Sequence, residues 1–416
     1  MRSITSTQLF RAAVAVIGLH VADDNFFHPE HGTSAADHLI SGFVPLALLA
    51  LAAWAFPRLR GGARGALALF LAPLGIATGI EALHYASTGP SGDDFTGFLT
   101  IPASLILIGI GAVTLWRTRR TEGNLPWRYT RRGLLAVAAV VVTFVTVLPI
   151  GFAYVVTHNG RAVVPEYELG APHENISFRT SDGLTLRGWY VPSRNGAAVI
   201  SFPGRKGSQK PARMLARHGY GVLVFDRRGE GESDGDPNAF GWGGDRDVKA
   251  AVDYLQTRPD VDDDRIGGIG LSVGGEMMLE AASEDRDLRA VVSDGAGARA
   301  FSDSLDEQEV TGMGPADKAI NTVGLAVRTG AMTVFTNEPP AANLRTLIGR
   351  IAPRPVMLIA APNSNHGEEL NRGFYKAAHA PKTLWEIPEA SHVGGIDARP
   401  REYERRVVGF YDDALR

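Results

Sequence analysis

The sequence predicts an α/β domain over residues 174–416, preceded by an all-α membrane-spanning region over residues 1–158. Three observations carry this reading. In the C-terminal part, short apolar runs bounded by turn residues alternate with helical patterns. One of those runs, Ile266 to Ile269, leads directly into Gly270-Leu271-Ser272-Val273-Gly274. Before residue 158, several long stretches carry no Asp, Glu, Lys or Arg.

The Gly-x-Ser-x-Gly run reads as a strand entering a tight turn that holds a serine up, with a helix starting behind it. A serine hydroxyl is a poor nucleophile at neutral pH. To attack a carbonyl it must stand on a strained elbow, beside a base and facing hydrogen-bond donors for the developing oxyanion. Gly270 and Gly274 are small enough to permit such an elbow.

The elements around the elbow follow in order. Ala197 to Phe202 is a buried-strand pattern ending in Pro203-Gly204-Arg205, and a helix is expected from about Lys210 to His218. Gly221 to Phe225 is a second apolar strand, ending in Asp226-Arg227-Arg228-Gly229-Glu230-Gly231-Glu232-Ser233. Leu288 to Ser293 and Pro355 to Ala360 are further strands. Thr383 to Ile387 is the last, and its trailing loop carries Ser391-His392-Val393-Gly394-Gly395.

In the Asp-Arg-Arg-Gly-x-Gly-x-Ser run, the elbow and the late histidine, the chain from about residue 174 onward resembles the α/β-hydrolases. The resemblance implies a mostly parallel eight-stranded sheet wrapped by helices, and a Ser-His-acid triad. Carried over by position, it makes Ser272 the nucleophile and His392 the general base, with the backbone N–H groups of Arg205 and Val273 forming the oxyanion hole. Pro203-Gly204 replaces the family's usual His-Gly before the first oxyanion residue.

The family acid commonly follows the seventh strand. Here that loop, Ala361 to Glu369, contains no aspartate, so Glu368 is the first choice and Glu369 the second. Asp294, at the end of the sixth strand, is the third. An acidic residue at 368 would also suit the first turn of the helix expected to run to about Ala378. Asp226 precedes the elbow and reads as a turn former, and His366 as an exposed loop residue.

The first 158 residues have a different composition. They hold eleven arginines, no lysine and eight acidic residues, against a net charge of −3 for the 416-residue chain. Five membrane spans are expected, over residues 9–25, 38–56, 65–85, 95–116 and 133–157. Arg58, Arg60 and Arg64 fill one short loop; Arg117, Arg119, Arg120, Arg128, Arg131 and Arg132 surround another. The alternate loops hold Asp23, Asp24, Glu30 and Asp37, then Asp93 and Asp94. Basic loops stay in the cytoplasm, so the last span should carry the α/β domain to the extracytoplasmic side of the cell membrane. The absence of cysteine fits an exported domain.

His20, Asp23, Asp24, His28, His31 and His38 crowd the first acidic loop and its flanking helix ends, with Glu81 and His84 near the same end of the third span. Converging from several helices, they could form a metal or proton site. As interfacial side chains they need no such role, and no compact motif such as H-E-x-x-H is present. A linker over 159–173 is short enough to hold the domain close to the bilayer. Residues 297–350 exceed what a bare sheet needs and have the length of a helical lid. Its apolar run, Ala319 to Val334, would suit either acyl chains or packed core.

These features point to a membrane-anchored serine hydrolase of the esterase/lipase kind, acting on an ester, thioester or amide of a small-molecule or lipid-like acyl substrate. That chemistry requires no metal and no organic cofactor. The alternatives are a serine peptidase, or a membrane sensor or transporter with a non-catalytic hydrolase-like binding domain. An acidic C-terminal part with scattered basic residues speaks against nucleic acid as a partner.

Overall fold

The computed structural model describes residues 4–29, 35–36, 38–85, 92, 94–119, 125–158, 169–202, 205, 207–236, 238–364 and 366–415. The chain divides into two compact units, Met1–Gly151 and Phe152–Arg416.

The first unit is helical: α1 (Ser6–Ala22), α2 (Leu39–Ala55), α3 (Gly61–Tyr85), α4 (Asp94–Arg117) and α5 (Leu125–Val142). A π-helical turn, Thr143–Val147, joins α5 to α6 (Leu148–Thr157). Thr5 caps α1 by accepting from the Gln8 N–H, while the Gln8 side chain accepts from the Thr5 N–H. Helices α3 and α4 approach through small residues. A Cβ on Gly65 would sit 3.1 Å from the Gly111 carbonyl oxygen, and one on Gly111 would sit 3.0 Å from that of Gly65. Small residues are what allow two helix backbones to approach this closely.

Among the described residues three helical stretches are long and apolar enough to cross a membrane: Ser41–Arg58, Phe95–Arg117 and Tyr129–Thr157. Gly61–Ile76 is a shorter apolar stretch. The polar cluster of this unit is a hydrogen-bonded chain. The Thr96 hydroxyl donates to Asp23 Oδ2 at 2.7 Å, and Asp23 Oδ1 also holds His28 Nδ1 at 2.8 Å. His20 Nδ1 lies 3.1 Å from Thr96 Oγ1. Among the described residues no group of three or more His, Asp or Glu side chains is arranged to hold a metal. His31 lies outside the described residues, as do the side chains of Glu81 and His84.

The second unit is built on an eight-stranded sheet among its described residues. In chain order the strands are β1 (Glu174–Arg179), β2 (Thr185–Val191), β3 (Ala198–Phe202), β4 (Gly221–Phe225), β5 (Ile266–Leu271), β6 (Ala290–Asp294), β7 (Val356–Ala360) and β8 (Lys382–Glu386). Their spatial order is β1-β2-β4-β3-β5-β6-β7-β8. The pairs β1/β2 and β2/β4 are antiparallel, and every pair from β4 to β8 is parallel. This is the α/β-hydrolase fold that the resemblance implies.

Helices α7 (Lys210–Arg217), α8 (Gly244–Gln256) and α9 (Val273–Glu284) follow β3, β4 and β5. The segment between β6 and β7 folds as α10 (Phe301–Val310), α11 (Pro315–Thr336) and α12 (Leu344–Leu347); α13 (Asn371–Ala377), α14 (Gly395–Ala398) and α15 (Pro400–Ala414) complete the unit. Helices cover both faces of the sheet, so its central strands read as continuous apolar runs rather than as alternation. Ile200, Leu223 and Phe225 pack with Met277, Met278 and Val248 on one side. Val199, Val222, Val224 and Ile269 pack with Leu215, Tyr403 and Tyr411 on the other. Because β3 to β8 run parallel, the loops after β3, β5, β7 and β8 leave the same edge of the sheet, where ligand sites of such sheets form.

Candidate active site

Ser272 occupies the turn between β5 and α9 with φ 53° and ψ −127°, in the left-handed half of backbone space that a serine rarely adopts. Glycines make that turn possible. A Cβ on Gly270 would lie 2.1 Å from the Gly274 carbonyl oxygen, and one on Gly274 would lie 2.7 Å from Phe202 Cβ. The strain lifts Ser272 Oγ to 2.8 Å from His392 Nε2.

His392 is carried by the loop after β8, and its Nδ1 lies 2.7 Å from Glu368 Oε1. The contacts are mutually consistent when Nδ1–H donates to the carboxylate and Nε2 accepts from the serine hydroxyl. Glu368 lies in a single turn of 3₁₀ helix, Glu368–Leu370, after β7 and is only 1% exposed. Its Oε2 accepts from the Ala361 N–H at 2.6 Å and its Oε1 from the Ser364 hydroxyl at 3.0 Å. The structure therefore brings Ser272, His392 and Glu368 into one hydrogen-bonded chain, which is the apparatus of a serine hydrolase.

Asp294 lies beneath the elbow rather than beside the imidazole. Its carbonyl accepts from the Ser272 N–H at 2.8 Å, and its carboxylate accepts from the Tyr403 hydroxyl at 2.9 Å. Burial pushes the Asp294 carboxyl up to about 7. Glu369, the other alternative, is the neighbour of the residue that reaches the imidazole.

The expectation for Arg205 needs correction. Its N–H donates to Asp226 Oδ1 at 3.0 Å instead of facing the serine. Its guanidinium holds Asp226 Oδ2 through Nε at 2.9 Å and Nη2 at 2.6 Å, and reaches Glu232 at 2.8 Å. A buried aspartate at the end of β4 thus takes both the main chain and the side chain of Arg205. Pro203 and Gly204 lie outside the described residues. Val273 is the first residue of α9, where an N–H has no carbonyl one turn back and the helix dipole favours negative charge.

Three further features have no signal in the sequence. The His366 ring is exposed, as expected, but it also stacks on His392, with centroids 4.6 Å apart and planes inclined by 11°. Val393, with φ 49°, is a second strained residue directly after the histidine. Gly295 leaves room for this corner, because a Cβ there would meet Val393 Cγ1 at 2.7 Å and His392 Cε1 at 3.4 Å.

A family model described as X-Pro dipeptidyl-peptidase (S15 family) matches residues 167–343. A protein of Pseudomonas aeruginosa described as uncharacterised is 26% identical over 306 residues, covering 58% of this chain and 81% of that protein. A thiohydrolase of Eupenicillium brefeldianum is 35% identical over 138 residues, covering 31% of this chain and 44% of that one. Among solved structures, an esterase of Pyrococcus furiosus aligns with a TM-score of 0.49 at 24% identity, covering 62% of this chain and 98% of that chain.

The geometry of the elbow sets a stability expectation. Gly270→Ala should destabilise the protein by about 3 kcal/mol or more, since the intruded atom is backbone. Gly373→Ala, in helix α13 with nothing within 4 Å, should be neutral or slightly stabilising; thermal unfolding of the two variants measures the difference. For Asp294 the folded state binds a proton more tightly than the unfolded chain, so stability falls as pH rises from about 4 through about 7. Asp303, raised by burial to about 6, adds to the same slope. Asp294→Asn should flatten that decline, as read from denaturation midpoints across pH.

Proposed function

We propose that this chain is a membrane-anchored serine hydrolase that cleaves an ester, thioester or amide through an acyl-enzyme intermediate, with its hydrolase unit on the extracytoplasmic side. The observation that carries the reading is the continuous hydrogen-bonded chain Ser272–His392–Glu368. Similarity to a thiohydrolase supports a thioester among the substrates. Three apolar helical stretches of membrane-crossing length support the anchor, and the arginine-rich loops support the orientation.

In this reaction Ser272 Oγ attacks the substrate carbonyl carbon as His392 Nε2 takes its proton, and the carbonyl oxygen becomes an oxyanion facing the Val273 N–H. Glu368 holds the imidazole tautomer and stabilises the imidazolium. His392 then gives its proton to the departing alcohol, thiol or amine, leaving an acyl-serine. Water, deprotonated by the same imidazole, releases the acid and restores the hydroxyl.

A second reading, a serine peptidase, is favoured by the match to a peptidase family model, although that match ends before Glu368 and His392. Comparing kcat/KM for short acyl esters, acyl thioesters and dipeptidyl amides separates the two.

A fluorophosphonate should label the wild-type protein and fail to label Ser272→Ala. If correctly folded wild type resists the probe, the hydrolase-like unit is a binding module. Turnover should fall by about 10⁶ in Ser272→Ala or His392→Ala and by about 10⁴ in Glu368→Gln. The chain has no cysteine, so one introduced at the exposed Asp263 reports topology. It should react with an impermeant maleimide in intact cells; reaction only after lysis reverses the orientation.

A further inference from the structure

The boundary between the two units falls inside α6, so Phe152–Thr157 belong to the hydrolase unit. There they pack on the segment between β6 and β7 and on residues 239–242, between β4 and α8. Ala153 is buried with Trp242, Met332 and Phe335, and Tyr154 and Val156 pack against the same group. Phe152 meets Phe240 edge to face at 6.2 Å, and the Arg328 guanidinium lies over both rings, 5.7 Å and 5.3 Å from their centroids. The Ala239 N–H donates to the Val156 carbonyl at 3.0 Å.

The depth of this contact follows from helix length. Arg131 and Arg132 mark one end of the apolar stretch. A hydrocarbon core about 30 Å thick takes about 20 helical residues, and counting from Gly133 the stretch leaves the core near Phe152. The residues that grip the hydrolase unit are thus those expected at headgroup level.

Helix α11 supplies Met332 and Phe335 to that grip and carries a second apolar stripe. Ile320, Val323 and Val334 are 48%, 51% and 43% exposed, and Val327 is half-buried. At 100° per residue these four positions fall within about 60° of the helix circumference, on an arc separate from the buried Leu325, Met332 and Phe335. Single exposed valines need no explanation, whereas an aligned outward stripe on a helix already clasping the end of a membrane span does.

We propose that this outer face of α11 rests in the headgroup and acyl boundary of the bilayer, so that the segment between β6 and β7 is a lid seated on lipid. The inference rests on the membrane-anchored reading above. Its occupant is lipid, because the helix is continuous through packed side chains with the point where α6 leaves the hydrocarbon.

The test uses the full chain in vesicles of phosphatidylcholine and phosphatidylglycerol that carry a nitroxide-labelled phosphatidylcholine. A single cysteine at Val323, or in a second variant at Ile320, is labelled with an environment-sensitive fluorophore; Asp263→Cys, labelled in the same way, serves as the control. Lipid nitroxides should quench the two lid sites at least about twofold more strongly than the label at position 263. Extraction of the whole chain by alkaline carbonate would remove the anchor and this proposal together. A chain that resists extraction while both lid sites are quenched no more than position 263 overturns the lid proposal alone. A blue-shifted but unquenched label would do the same, and would point to a protein as the cover.

Discussion

The 2.8 Å contact between Ser272 Oγ and His392 Nε2 joins positions 120 residues apart, and much of the second unit is arranged to permit it. A hydroxyl reaches an imidazole on another strand end only if both are lifted above the sheet. The backbone is strained at Ser272 and again at Val393, one residue past the imidazole. Strain of this order persists only where the surroundings over-determine it. Here they do: Gly270, Gly274 and Gly295 remove the atoms that would block the two corners. The parallel sheet, packed with apolar side chains on both faces, holds the strand ends rigid.

The parts of this arrangement that are legible in the sequence are those with local causes. A buried strand announces itself by an uninterrupted apolar run, and β4 spans Gly221–Phe225, the bounds its run predicts. The elbow is a contiguous pattern with a steric reason for each glycine. The grip on Glu368 is not local: it depends on the Ala361 N–H and the Ser364 hydroxyl folding back across a loop, which no spacing encodes. Arg205 departs from its expected role for a similar reason. Counting from the glycine identifies a backbone donor but cannot show that a carboxylate 21 residues later consumes it.

That Arg205–Asp226 contact has a structural consequence. The aspartate at the end of β4 ties down Arg205, which lies after the neighbouring strand β3. A buried carboxylate is costly unless hydrogen-bonded and paired. Asp226 receives the Arg205 amide and guanidinium, and the Glu232 N–H at 3.4 Å. Asp226 thus links Arg205, after β3, to the turn that follows β4.

Two buried carboxyl groups lie near the site, and their positions set them apart. Glu368 is fully enclosed, and its carboxyl group meets a backbone N–H, a hydroxyl and the imidazole. Asp294 is enclosed with one side-chain donor, the Tyr403 hydroxyl, and burial raises it toward neutrality. Asp294 is unsuited to the third place by its position, because its carboxylate meets the Tyr403 hydroxyl beneath the turn and not the imidazole. The acid in the loop after β7 is a glutamate, and the short 3₁₀ turn that carries it brings the carboxylate against the imidazole without strain at its own backbone. The environment, rather than the choice between Asp and Glu, therefore selects which carboxyl group supports the histidine.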